Sequence, residues 1–234
     1  MINGRQIVGV IFDIDGTLVD SFPVFSSVFN KVMMPYLSEG VSHEFLGDCL
    51  NKGLDLGEIV RKVCPTQTGT SFIEQRRKEI MELFLKVEPE EIKLLPGVAE
   101  LFKSLKGKEL KIGIATGRTS PPEREWYRFK RFGLDRFIDS IVTSREVERR
   151  KPAPDALLEC AKRLEVPIQK CLAVGDTEID IIAAREAGAI PVAVTTGHDG
   201  RALLEKENPE LIFDNLNEFS SFLFDQERKG TDLS

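Results

Sequence analysis

Residues 11–18 read Ile-Phe-Asp-Ile-Asp-Gly-Thr-Leu and set two carboxylates where an apolar run ends in a glycine turn. In extended chain the side chains at i and i+2 share a face, so Asp13 and Asp15 point the same way while Ile14 turns inward. At roughly 4 Å and an effective dielectric near 20, two such anions repel by about 4 kcal/mol. A shared proton, solvent or a cation must offset that repulsion, and a hard divalent cation is the natural candidate for an oxygen-lined site. Polar groups also follow the later apolar runs: Ala115-Thr116-Gly117-Arg118, then Arg149-Arg150-Lys151-Pro152, then Gly175-Asp176-Thr177-Glu178-Ile179-Asp180. Four carboxylates, a hydroxyl and an ammonium form a set suited to phosphoryl transfer through a metal-bound aspartate. The glycine amide of Gly117, placed where a helix should begin, suits a phosphate oxygen.

These groups need a scaffold that brings distant segments together. Short β-branched runs at 7–12, 110–115, 137–142, 171–174, 190–194 and 211–213 predict about six strands. Helical patterns at 97–106, 122–132, 154–164, 179–187 and 216–224 lie among them. That alternation predicts an α/β fold, a doubly wound parallel sheet, in which ligands bind beyond the carboxyl ends of the strands. Residues 21–90 differ: helical patterns at 24–37 and 72–87, glycine and proline punctuation and no convincing strand predict a small helical domain inserted after the first strand. The expected division is 1–20 with 91–234 for the α/β body and 21–90 for the inserted helical domain, with a hinge at the two linkers. The tail 226–234 reads as frayed.

Composition narrows the function. The chain has 234 residues, 41% hydrophobic and 30% charged, which describes an ordinary globular protein. A net charge of −6 argues against non-specific nucleic-acid binding, so an anionic substrate must be drawn by a local field. Cys49, Cys64, Cys160 and Cys171 lack the short spacing of a zinc or redox motif and read as buried thiols of a reducing compartment. The first apolar run is too short for a signal segment or a membrane span, so the protein reads as cytoplasmic, with no membrane partner. Only His43 and His198 are present, which gives poor support to a histidine phosphatase or a multi-histidine zinc site. The stretch 124–131 mixes basic and aromatic residues, and its aromatics at helical spacing read as a buried helix face.

Taken in order, Asp13-Ile14-Asp15-Gly16-Thr17, Thr116, Lys151 before Pro152, and Gly175-Asp176 through Asp180 resemble the four motifs of the haloacid dehalogenase superfamily of phosphatases. The likeness spans nearly the whole chain and falls in the branch with a helical C1-type cap, close to phosphoglycolate phosphatases. It implies a Rossmannoid core, a magnesium ion and an aspartyl-phosphate intermediate. Residue by residue it implies Asp13 as nucleophile, Asp15 as the acid and base that protonates the leaving oxygen and later activates water, and Thr116, Gly117 and Lys151 around the phosphoryl oxygens. Magnesium would be held by Asp13, the main-chain carbonyl of Asp15, and Asp176, with Asp180 acting through water or orienting Lys151. Arg118 stands where the family varies and reads as pairing with a nearby acid. Dehalogenases and phosphonate-cleaving relatives lack the second aspartate; the latter use a cap lysine, for which Lys52 is the candidate here, and Asp15 argues against both. Sugar phosphomutases keep both aspartates but carry a histidine early in the first cap helix, where this chain has Phe25. The expected substrate is therefore a small phosphorylated metabolite, selected by cap residues among which Phe45, Leu46, Gly47, Lys52 and Arg61 are candidates. A mutase and a non-catalytic phospho-ligand-binding relative are the alternatives.

Overall fold

The computed structural model describes residues 4–51, 54–67, 69–197 and 199–225. Along these the chain runs β1 (Gly9–Phe12), β2 (Val19–Asp20), α1 (Phe22–Met33), α2 (His43–Asn51), α3 (Leu56–Val63), α4 (Thr70–Glu91), β3 (Lys93–Leu94) and α5 (Val98–Gly107). It continues through β4 (Lys111–Thr116), α6 (Pro122–Arg131), β5 (Ser140–Thr143), α7 (Asp155–Arg163), β6 (Cys171–Gly175) and α8 (Glu178–Ala187). It ends with β7 (Ile190–Val194), α9 (Arg201–Lys206), β8 (Leu211–Phe213) and α10 (Leu216–Asp225). The expected tail at 226–234, Lys52 and His198 lie outside the described residues.

Six strands form one sheet in the order β5-β4-β1-β6-β7-β8. All five neighbouring pairs are parallel. The fold is the doubly wound α/β sheet expected from the alternation of apolar runs. From β1 the chain builds outward through β4 and β5, then returns to the other side of β1 for β6, β7 and β8. Where the direction of winding reverses, helices leave on opposite faces and a crevice opens at the carboxyl ends of β1, β4 and β6. Phe12, the last residue of β1, is level with Ile114 and Val174, so Asp13 comes out beside the last residues of β4 and β6.

Alternation along β1 assigns its side chains. Ile11 lies in a cluster with Ala115, Cys160, Ala173 and Ala184, the residues of α7 and α8 packing close to the sheet through small side chains. A Cβ at Gly113 would run into Cys160 Sγ, so the glycine in β4 is what lets α7 approach. Phe12 faces the other way, its ring 5.3 Å from that of Phe102 in α5. Burying these apolar faces on both sides is what stabilises a parallel sheet. The four cysteines are buried and unpaired, and burial pushes the Cys160 and Cys171 thiols up to about 12 and about 11.

The chain divides into two compact units, Met1–Val19 with Leu94–Ser234, and Asp20–Lys93. The second unit is helical, with Phe29, Met33, Leu46, Ile59 and Ile80 in its interior. Leu46, a candidate for substrate contact by sequence, is fully buried there and belongs to that core. Helix α3 is held by a capping box in which Asp55 accepts from the Glu58 amide at 2.8 Å and Glu58 accepts from the Asp55 amide at 2.7 Å. Arg76, 4% exposed, is held by Tyr36 and Glu79 and lies against the Phe72 ring.

Three element boundaries differ from expectation. Helix α1 stops at Met33 and passes into a 3-10 turn at Met34–Tyr36, because Pro35 cannot continue the α-helical ladder. Helix α4 runs past Pro89 to Glu91, the proline falling in its last turn where one lost backbone bond is tolerated. The strand expected at 137–142 begins only at Ser140, after a 3-10 turn at Asp135–Phe137. Among the described residues no helix is long and apolar enough to cross a membrane.

Candidate active site

The site grows from the end of β1. The Asp13 amide donates to the Val174 carbonyl at 2.9 Å, so Asp13 still belongs to the parallel ladder. The chain then turns sharply: the Gly16 amide donates to Val19 O, and the Leu18 and Val19 amides donate to Ile14 O. Gly16 takes φ of 75°, the left-handed region that suits glycine. A Cβ there would also collide with the Asp176 carboxylate, and so would one at Gly197 from the loop after β7. The two glycines thus let that carboxylate approach the turn. Gly16→Ala is therefore expected to destabilise the fold by about 1–2 kcal/mol from backbone strain alone. It should also displace Asp176 and lower turnover; thermal unfolding and steady-state kinetics check this, and an alanine variant with unchanged values would sink the packing account.

Lys151 ties the cluster together. Its side chain is 6% exposed, and its ammonium donates at 2.7 Å to each of Asp13 Oδ1, Asp180 Oδ1 and the Ala115 carbonyl at the end of β4. Three donors thus meet three acceptors from three segments more than 25 residues apart in sequence from Lys151. The second oxygen of Asp180 accepts from the Thr177 amide at 3.2 Å and the Thr177 hydroxyl at 2.5 Å, which fixes it at the start of α8. Asp176, 1% exposed, accepts from the Thr17 hydroxyl at 2.7 Å. The Thr196 hydroxyl donates to Gly16 O at 2.6 Å, and Asp199 accepts from the Glu178 amide at 2.7 Å at the first turn of α8.

Electrostatics follow from this crowding. Burial raises the Asp13 carboxyl from 3.8 to about 7, opposed by Lys151 and reinforced by Asp180 and Asp15. Burial, then the charges of Asp180 and Asp13, push the Asp176 carboxyl well above its ordinary value. Burial pulls the Lys151 ammonium down, but Asp13 and Asp180 outweigh it and hold it above its ordinary value. One oxygen each of Asp13, Asp176 and Asp180 lie within 4.8 Å of one another. With all three carboxylates ionised, the one ammonium would leave two negative charges uncompensated, which is why protons are held tightly here. A divalent cation matches that donor set in charge and in its preference for oxygen.

The expected residues converge at the carboxyl ends of β1, β4 and β6, with differences in their partners. Thr116 is 1% exposed, and its hydroxyl accepts from the Arg118 amide at 3.2 Å. Gly117 does not sit at a helix start: α6 begins only at Pro122, because Pro121 and Pro122 set the entry to the helix. Ser144, buried after β5, donates its hydroxyl to the carbonyls of Gly117 and Arg118 at 2.9 and 3.0 Å and pins that loop. Arg118 pairs with an acid, and the acid is Asp15 itself, through Nε–Oδ2 at 2.7 Å and Nη2–Oδ1 at 2.5 Å. The helix at 124–131 buries Phe129 as expected, but its interior face also carries Glu125 and Arg128, paired at 2.8 Å, while Tyr127 is exposed. Glu125 also accepts from Ser120 in the loop that follows Thr116, so the pair anchors that loop as well.

Sequence reasoning missed four contributors. Thr17 stood inside a quoted motif, and its hydroxyl next to two aspartates was the available signal. Ser144, Thr196 and Gly197 carry no local signal, since each acts on a segment far away in the chain.

A parallel sheet with a carboxylate-rich site at its winding reversal is a Rossmann-like α/β fold with its site where such sheets bind ligands. The haloacid dehalogenase-like hydrolase family matches residues 10–194, and the chain belongs to it. It is 30% identical over 202 residues to the phosphorylated carbohydrates phosphatase of Thermotoga maritima, covering 84% of this chain and 89% of that protein. It is 26% identical over 232 residues to the phosphoglycolate phosphatase of Escherichia coli strain K12, covering 92% and 91%. Among solved structures, a hydrolase from Pseudomonas syringae superposes with a TM-score of 0.71 at 26% identity, covering 92% of this chain and 97% of the other.

Proposed function

We propose that this enzyme is a magnesium-dependent phosphatase that hydrolyses a small-molecule phosphate monoester through an aspartyl-phosphate on Asp13. The observation that carries the reading is the Lys151 ammonium, 2.7 Å from Asp13 Oδ1 and from Asp180 Oδ1, beside three carboxylates whose oxygens lie within 4.8 Å of one another. Asp13 attacks phosphorus, and the bond to the leaving oxygen breaks while Asp15 supplies that oxygen with a proton. Asp15 then takes a proton from water, which attacks the phosphoryl group and releases Asp13 and inorganic phosphate. Lys151 and Thr116 hold the phosphoryl oxygens as charge shifts between them, and Asp180 keeps the ammonium aimed. Asp13, Asp176 and the main-chain carbonyl of Asp15 would hold the magnesium, with Asp180 close behind. When bound, the ion supplies charge neutralisation between the nucleophile and the phosphate dianion.

The unit of residues 20–93 is read as the cap that selects the leaving group, and the substrate as a phosphorylated small metabolite. A panel of phosphorylated sugars, phosphoglycolate and other small esters, assayed for phosphate release with and without magnesium, is the test. Expected is release that needs the cation and favours a few esters by about 10-fold or more over the rest. Folded protein that releases no phosphate from any ester would end the reading. Isomerised sugar phosphate in place of release would favour a phosphomutase, the second reading, against which Phe25 stands.

A further inference from the structure

We propose that Arg118 is a positioning residue for Asp15, fixing the carboxylate that carries the proton transfers; the inference rests on the proton-transfer role of Asp15 given above. The Asp15 side chain is 40% exposed and sits on a glycine turn, so packing alone does not hold it. The Arg118 side chain is only 11% exposed. Its guanidinium grips both carboxylate oxygens at once, Nε on Oδ2 at 2.7 Å and Nη2 on Oδ1 at 2.5 Å. A two-point fork fixes the plane as well as the direction of the carboxylate, which a single ammonium could not do.

The anchor behind the fork is itself fixed. The Ser144 amide and hydroxyl both donate to the Arg118 carbonyl at 3.0 Å, and the Arg118 amide donates to the Thr116 hydroxyl oxygen at 3.2 Å. Asp15 is thereby tied across 103 residues of sequence to the loop that follows Thr116. The Arg118 guanidinium is also a positive charge beside the Asp15 carboxylate.

The test separates the fork from the charge. The quantity kcat/KM reports the steps up to departure of the leaving group, and an alkoxide needs a proton there while p-nitrophenolate does not. With magnesium present, Arg118→Ala is expected to lower kcat/KM for a turned-over alkyl phosphate by about 10-fold more than for p-nitrophenyl phosphate. Arg118→Lys should restore KM, which depends on charge, but not kcat, which depends on the fork. Arg118→Gln serves the same comparison if the alanine variant does not fold. An equal loss on both esters, or a loss confined to KM and restored by lysine, overturns the proposal. Asp15→Asn run beside them must show the same alkyl-against-aryl split; if it does not, the role given to Asp15 fails first, independently of Arg118.

Discussion

Asp13→Asn is expected to lower phosphate release by about 10³-fold or more, because the amide removes the attacking oxygen anion and changes almost nothing else in shape. The stability of this variant has a sign that can be worked out. The Asp13 carboxyl is raised from 3.8 to about 7, chiefly by burial, with Lys151 opposing. A folded-state pKa above the unfolded one gives stability that is fully present below the unfolded pKa and is lost as pH rises through about 7. An amide has no such loss. In chelator, then, the Tm of the asparagine variant minus that of the wild type should grow between about pH 5 and about pH 8. Phosphate release and thermal unfolding on one preparation check both halves. Turnover within about 10-fold of wild type would show that another group attacks phosphorus; a Tm difference that shrinks with rising pH would contradict the burial account.

Lys151→Met should be the most damaging single change for the site as a whole. It keeps the length of the side chain and removes the ammonium, leaving the Asp13, Asp180 and Ala115 oxygens without their shared donor. Breaking a buried pair by deleting one partner costs about 3–5 kcal/mol, since the remaining charge has lost both water and its counter-ion. Turnover should fall by about 10²-fold to 10³-fold, the range for losing a preorganised electrostatic contact to the transferring group. Lys151 itself titrates above its ordinary value, so its contribution is fully present throughout the neutral range. The pH dependence comes instead from Asp13 and Asp176, both raised, which take up protons as pH falls. The stability deficit should therefore be largest near about pH 8 and shrink toward about pH 5. Lys151→Arg should recover part of the stability and little of the activity, because a planar fork cannot reach the three acceptors a tetrahedral ammonium serves. Denaturant unfolding at the two pH values measures this; a deficit independent of pH would point to packing.

Much of the scaffold was legible because it depends on local period. The β-branched runs read as strands since all but the edge strand β8 are buried along nearly their whole length, and their alternation with helical patterns left few topologies for a parallel sheet. The boundaries that moved did so where tertiary fit decided. Helix α4 continues through Pro89, and the opening of β5 gives way to a 3-10 turn before Ser140. Asp13, Asp15, Thr116 and Asp176 could be nominated because each stands at or just beyond the end of an apolar run, and parallel strands deliver such positions to one edge; Lys151, well past β5, and Asp180, inside α8, were legible through their place in the motif order. Leu46 could not be told from a substrate-facing residue, because an apolar side chain in a helix looks the same in either place.

By itself the sequence determined which elements form, which edge of the sheet carries polar groups and which of those groups have the chemistry for phosphoryl transfer. These follow from side-chain type and spacing over a few residues. Only the tertiary structure decided who holds whom: Arg118 on Asp15, Thr17 on Asp176, Ser144 on the loop after Thr116, Gly197 against the Asp176 carboxylate. The physical reason is range. Periodicity acts through neighbours along the chain, whereas a hydrogen bond or close contact between residues more than a hundred positions apart, as for Arg118 and Asp15, exists only once the sheet has brought their strand ends together.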